Sequence, residues 1–187
     1  MEPNATIVAL GDSITWGYPE GPPRSWVAQV AVALGVIIAN HGVNGDTLAG
    51  MRARLPVILA ENKPVAVIVT GGANDVAMGR RVPDMCADLG AMVEAIAASG
   101  AFPVIGMPVP ILIPQMESSL IAYRQFIQSL AGTRHLRVIP FQRALSDASG
   151  RPRREFFMDE CHPNADGFAA MARLVIGGEF LREVAGG

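Results

Sequence analysis

Five short apolar runs punctuate the chain: Thr6 to Leu10, Val36 to Ala39, Val65 to Thr70, Phe102 to Met107 and Leu136 to Ile139. Their residues are apolar at successive positions, the pattern of strands covered on both faces. Between the third and fourth runs, Met85, Leu89, Met92, Val93, Ile96 and Ala97 recur at helical spacing. Asp88 and Glu94 fall off that stripe, so the segment predicts an amphipathic crossover helix. Phe168, Met171, Ala172 and Val175, after the turn-forming Pro163-Asn164, predict a C-terminal helix, and Ser119 to Leu130 is a less regular candidate. Pro56 interrupts the helical pattern from Thr47 to Ala60, which predicts two short helices with Pro56 opening the second. About five strands alternating with five helices predict an α/β fold, a parallel sheet with helices on both faces. No repeat, low-complexity segment or linker divides residues 1–187, so one domain is expected.

Composition narrows the function classes. Half of the 187 residues are hydrophobic, enough for a sizeable core. The net charge of −2 comes from 15 basic and 17 acidic residues scattered along the chain, which argues against nucleic acid as a ligand. No apolar stretch approaches the roughly 18 residues of a membrane span. The N-terminus has no basic segment followed by an apolar run, so no signal peptide is expected, although a chain already relieved of one would read alike. Cys86 and Cys161 are far apart and lack CxxC spacing; free thiols and a cytoplasmic location fit best.

In an open parallel sheet, ligands sit beyond the carboxyl ends of the strands. There the sequence places Gly11-Asp12-Ser13, then Gly42-Val43-Asn44-Gly45-Asp46-Thr47, then Gly71-Gly72-Ala73-Asn74-Asp75. Acyl transfer needs an activated hydroxyl, a base, a group that fixes the base, and donors for the oxyanion. Ser13 follows a strand directly and can supply the hydroxyl, although a Ser after Gly-Asp also reads as a helix cap or turn residue. Asp159 lies three residues before His162, close enough to accept from its ring in one turn, although Pro163-Asn164 equally suits a surface turn. His41 and His135 have no carboxylate at useful spacing. The Asn74 amide and a backbone N–H at Gly45, where no Cβ intrudes, are candidate oxyanion donors, and both residues are also ordinary turn formers.

Taken together, these blocks resemble the SGNH hydrolase superfamily of GDSL-type esterases and lipases. Gly11-Asp12-Ser13-Ile14-Thr15 is similar to its first block, Gly45-Asp46-Thr47 to its second, Gly71 to Asp75 to its third, and Asp159-Glu160-Cys161-His162-Pro163 to its fifth. Position 14 is Ile where the family name has Leu. The resemblance implies a flavodoxin-like three-layer α/β/α sandwich on a five-stranded parallel sheet. It implies Ser13 as nucleophile and, through its N–H, first oxyanion donor, Gly45 and Asn74 as the other donors, His162 as base and Asp159 as its orienter. It implies no metal and no cofactor. The Gly-x-Ser-x-Gly elbow of the α/β-hydrolase fold is absent.

The expected substrate is a small-molecule ester, short-chain or aryl, cleaved through an acyl-enzyme; an acetylated sugar or a thioester is the alternative. Other classes predict different observations. A Cys161 nucleophile would make activity sensitive to thiol reagents, and a phosphohydrolase using Asp12, Asp46, Asp75, Asp159 and His162 as metal ligands would make it sensitive to chelators. A non-catalytic binding module of the same fold would show no turnover. Trp16, Met107, Pro108 and Val109 are the expected substrate-pocket residues, with Tyr18 and Trp26 as further aromatic candidates. The apolar segment Met107 to Pro114 reads equally as a loop packed on the core or as a contact in a homo-oligomer.

Overall fold

A computed structural model describes residues 6–178 together with 180 and 181. The first five residues, part of the segment read above as lacking a leader, lie outside the described residues. Five parallel strands, β1 (Thr6–Gly11), β2 (Ile37–Gly42), β3 (Ala66–Thr70), β4 (Phe102–Gly106) and β5 (Arg137–Ile139), form one sheet in the order β2-β1-β3-β4-β5. This is the flavodoxin-like order, in which the chain reverses direction across the sheet between β1 and β3.

Eight α-helices are described: α1 (Ser13–Trp16), α2 (Trp26–Leu34), α3 (Leu48–Asn62), α4 (Ala73–Ala77), α5 (Val82–Ala98), α6 (Pro114–Arg134), α7 (Phe141–Ala144) and α8 (Ala165–Gly177). Five of them run nine residues or longer, and α1, α4 and α7 are single turns at strand ends. Because side chains alternate across a strand, the sheet has two cores. Ile7, Ala9, Ile68 and Val104 pack with Trp26, Val27 and Val30 of α2 and Phe168, Met171 and Val175 of α8. Val8, Leu10, Val67 and Val69 face the other way, against the buried stripes of α3 (Leu48, Met51, Leu55, Ile58), α5 (Met85, Leu89, Met92, Ile96) and α6 (Leu120, Tyr123, Ile127). Asn164 caps α8 by accepting from Gly167 N–H at 3.0 Å.

Three boundaries depart from expectation. Pro56 does not divide the segment after Thr47: α3 is one 15-residue helix with Pro56 inside it. Pro56 and Arg52 both face solvent, so water can satisfy the Arg52 carbonyl that a proline leaves without its helical donor. Helix α6 starts five residues before Ser119, because Pro114 needs no N–H at the first helical turn, and it runs on to Arg134. Strand β2 extends beyond Ala39 through Asn40 and His41 to Gly42. Asn40 is tolerated in this edge strand because its amide donates to Thr15 O at 2.8 Å and its carbonyl accepts from Gly42 N–H at 2.9 Å.

Candidate active site

Ser13 is the first residue of α1, set directly beyond β1. Asp12 caps that helix, its Oδ1 accepting from Ile14 N–H at 2.9 Å, and Gly17 closes the turn with φ +98°. The turn lies almost on the end of β2: a Cβ at Gly42 would fall 2.1 Å from the backbone nitrogen of Trp16. Ser13 thus protrudes over the sheet's carboxyl edge while remaining 93% shielded, at 7% relative exposure.

The segment after α7 brings His162 to it. His162 Nε2 lies 3.1 Å from Ser13 Oγ, and His162 Nδ1 lies 2.8 Å from Asp159 Oδ2. The other carboxylate oxygen of Asp159 accepts from the N–H groups of Cys161 and His162, each at 2.7 Å, so one side chain fixes both the backbone turn and the ring. Partial burial alone would raise the Asp159 carboxyl; these two N–H bonds and the His162 ring outweigh it and hold the group below its ordinary value. The Tyr18 ring packs on the imidazole with centroids 4.7 Å apart. Leu112 N–H donates to Glu160 O at 2.8 Å and ties this turn to the loop after β4.

The other two polar loops stand alongside. Gly45 is exposed with φ +78°, a conformation in which a Cβ would be strained, and among the described residues its N–H donates to no protein acceptor. Asn74 donates one amide N–H to Asp46 O at 2.8 Å, and its second has no protein acceptor among the described residues. Asp75 is fully buried, accepts from Leu48 N–H at 3.0 Å and pairs with Arg80, whose guanidinium also holds Asp88 at 2.7 Å. Asp12, likewise buried, has its carboxyl pushed up to about 6, chiefly by loss of solvent; Ile14 N–H and the nearby His162 only partly offset this.

Residues 9–170 match the model of the GDSL-like Lipase/Acylhydrolase family. The chain belongs to that family. It is 34% identical over 101 residues to Esterase TesA of Pseudomonas aeruginosa, covering 51% of this chain and 50% of TesA. It is 33% identical over 100 residues to an arylesterase of Vibrio mimicus, covering 51% and 50%. The chain thus matches about half the length of these curated relatives. In fold it is similar to a lipolytic protein of the G-D-S-L family from Desulfitobacterium hafniense, with a TM-score of 0.86 and 23% identity over 93% of this chain and 99% of that one.

Not every residue singled out in the sequence lies at this GDSL-like site. Met107 and Val109 are 2% and 1% exposed and belong to the two cores, and Pro108 is buried between them, so none of the three presents a wall to a substrate. Their loop is strapped down by Arg124, which donates to Pro108 O at 2.9 Å and Val109 O at 2.8 Å while paired with Glu117. Trp26 is fully buried against Phe141, with ring centroids 4.8 Å apart, and is a core residue. Trp16 is half-buried beside Gly21. A cleft of about 440 Å³ is lined by Pro19, Pro23, Met158, Pro163 and Phe168, of which Pro19, Met158 and Pro163 adjoin Tyr18, Asp159 and His162 in the chain, while Ser13, Gly45, Asn74 and His162 do not line it. No cluster of three His, Cys, Asp or Glu able to hold a metal occurs among the described residues. The Cys161 thiol is raised by burial and then by the charges of Asp159 and Glu160, away from the thiolate form. Among the described residues no helix is long and apolar enough to cross a membrane.

Proposed function

We propose that the protein is a serine carboxylic-ester hydrolase acting on small short-chain or aryl esters through an acyl-enzyme. The observation that carries this reading is the relay from Ser13 Oγ to His162 Nε2 at 3.1 Å and from His162 Nδ1 to Asp159 Oδ2 at 2.8 Å. Ser13 attacks the ester carbonyl while His162 takes its proton, and Asp159 keeps the ring in the tautomer that can accept it. The oxyanion rests on the Ser13 N–H, which as a first-turn amide has no helical acceptor, on the Gly45 N–H and on the second amide N–H of Asn74. His162 then protonates the departing alcohol, and water, activated by the same imidazole, releases the acid. Family membership and the names of the curated relatives support ester cleavage. No step calls for a metal or an organic cofactor.

Small esters are favoured in this reading because Met107, Pro108 and Val109 after β4 are committed to the core and offer no groove for a long acyl chain. Hydrolysis of p-nitrophenyl esters from acetyl to octanoyl, with Ser13→Ala as the paired variant, tests the proposal. Turnover falling by at least about 10³ in the variant is the expected result. Equal turnover in both proteins would refute the serine mechanism.

A further inference from the structure

Three loops supply the three proposed oxyanion donors, and one side chain bonds to residues flanking two of them and reaches the third through Asp46. Arg54 leaves α3 beside its buried stripe and passes under the crevice with 25% of its side chain exposed. Its Nε donates to Asp46 Oδ2 at 2.8 Å, and its Nη2 donates to Gly11 O at 3.0 Å and His41 O at 2.8 Å. Gly11 is the residue before Asp12-Ser13, His41 is the penultimate residue of the strand that feeds the Gly45 loop, and Asp46 follows Gly45 directly. Asp46 in turn offers its carbonyl to Asn74 and its Oδ1 to Thr47 N–H at 2.9 Å. Because the Gly45 amide has no acceptor of its own among the described residues, its position depends on what holds its neighbours.

We infer that Arg54 is a positioning residue for the oxyanion site, setting Gly45 and Asn74 relative to Ser13 without touching the substrate. The inference rests on the donor assignment proposed above. The guanidinium is suited to this because its planar fork projects N–H groups in several fixed directions, and a lysine ammonium on a flexible stem cannot hold a carboxylate and two strand-end carbonyls in the same register. The pair is also well shielded, with the Asp46 side chain only 11% exposed, so solvent competes poorly for these bonds. Donors that shift by a fraction of an ångström lose most in the transition state, where charge on the oxygen is greatest. The expected signature is therefore a fall in kcat with little change in KM.

The experiment compares wild type, Ser13→Ala, Arg54→Ala, Arg54→Lys, Asn74→Ala and the Arg54→Ala/Asn74→Ala double variant on p-nitrophenyl butyrate, with thermal melts of each. Arg54→Ala is expected to lower kcat by about 10- to 100-fold with KM within about 3-fold, and Arg54→Lys to give no more than partial rescue. In the Asn74→Ala background the same Arg54 change is expected to cost at least about 3-fold less than in the wild-type background, since one of the two groups it positions is already gone. Should Arg54→Ala lose its cooperative melt, Asp46→Asn breaks the pair from the loop side at nearly constant volume and is expected to show the same kcat loss. Wild-type kcat in Arg54→Ala, an equal loss in both backgrounds, or an effect confined to KM would overturn the inference while leaving the triad standing. Turnover that survives Ser13→Ala would overturn the site assignment on which the inference rests.

Discussion

Replacing Asp159 by Asn leaves the fold's contacts nearly intact and inverts the chemistry of the imidazole. The side-chain oxygen that accepts from the Cys161 and His162 N–H groups at 2.7 Å survives in Asn, so the backbone turn keeps its anchor. The oxygen 2.8 Å from His162 Nδ1 becomes an NH₂ group, a donor facing a donor. The ring is relieved by moving its proton to Nε2, and the Nε2–H then faces Ser13 Oγ across 3.1 Å and cannot take its proton. In a fully buried triad this exchange costs about 10⁴ in kcat. Here the Asp159 side chain is 38% exposed, so water can compete with the Asn amide and restore part of the productive tautomer. The expected loss is about 10³ in kcat, or about 4 kcal/mol of barrier, with KM nearly unchanged. Steady-state hydrolysis of p-nitrophenyl butyrate checks this, alongside a melt showing that the variant remains folded. A folded Asp159→Asn protein within 10-fold of wild-type kcat would refute the reasoning, because the Asp159–His162 bond would then be structural only.

Three further outcomes follow from the same geometry. Asn74→Ala removes one proposed oxyanion donor and should lower kcat by about 10²–10³, read in the same ester assay. Asp12→Asn keeps an acceptor for Ile14 N–H and removes a carboxyl held at about 6 against an ordinary 3.8. The native protein binds this proton more tightly than the unfolded chain, so stability falls as pH rises from 3.8 to about 6 and is flat above. Urea unfolding should therefore find Asp12→Asn stabilised by up to about 3 kcal/mol at pH 8, with no such gain at pH 3.5. Gly42→Ala would drive a Cβ to 2.1 Å from Trp16 N and 2.6 Å from Trp16 Cα, backbone atoms with no rotamer to escape into. A loss of about 3 kcal/mol or more by urea unfolding, with reduced turnover as α1 is displaced, is expected.

Continuous apolarity marks strands wherever both faces are buried, so β1, β3 and β4 were legible to within a residue at each end. It fails at the sheet edge, where β2 continues through Asn40 and His41 because their polar groups find partners that no local pattern reveals. Pro56 was misleading because a proline inside a helix removes one hydrogen bond without having to end the helix, and here Pro56 and Arg52, whose carbonyl loses its donor, lie on the exposed face of α3. At the site, Ser13, Asp159, His162, Gly45 and Asn74 were named from motif and spacing, and the structure brings the first three into a hydrogen-bonded chain. Aromatic and apolar residues near strand ends were less informative: Trp26, Met107 and Val109 carry the same composition whether they line a pocket or fill a core. Arg54 escaped notice, although an arginine set beside the Leu48, Met51, Leu55 and Ile58 stripe, just after the Gly-Asp-Thr turn, was the available signal. Its partners are strand-end carbonyls 13 and 43 residues away, which only the folded sheet assembles.

The Ser13–His162 contact joins residues 149 positions apart. Between them lies every strand but the first, and the imidazole is delivered only when the segment before α8 docks and Phe157, Phe168 and Met171 enter the core shared with α2. On the proposed mechanism, catalysis is therefore a late event in the life of each chain. During synthesis the Ser13 hydroxyl is made 149 residues before its proposed base, so a nascent polypeptide that has not yet reached His162 carries a serine without that partner. Ester turnover then reports on completed assembly rather than on collapse: in refolding, activity should return only after helical signal has recovered, as the final long-range closure is made.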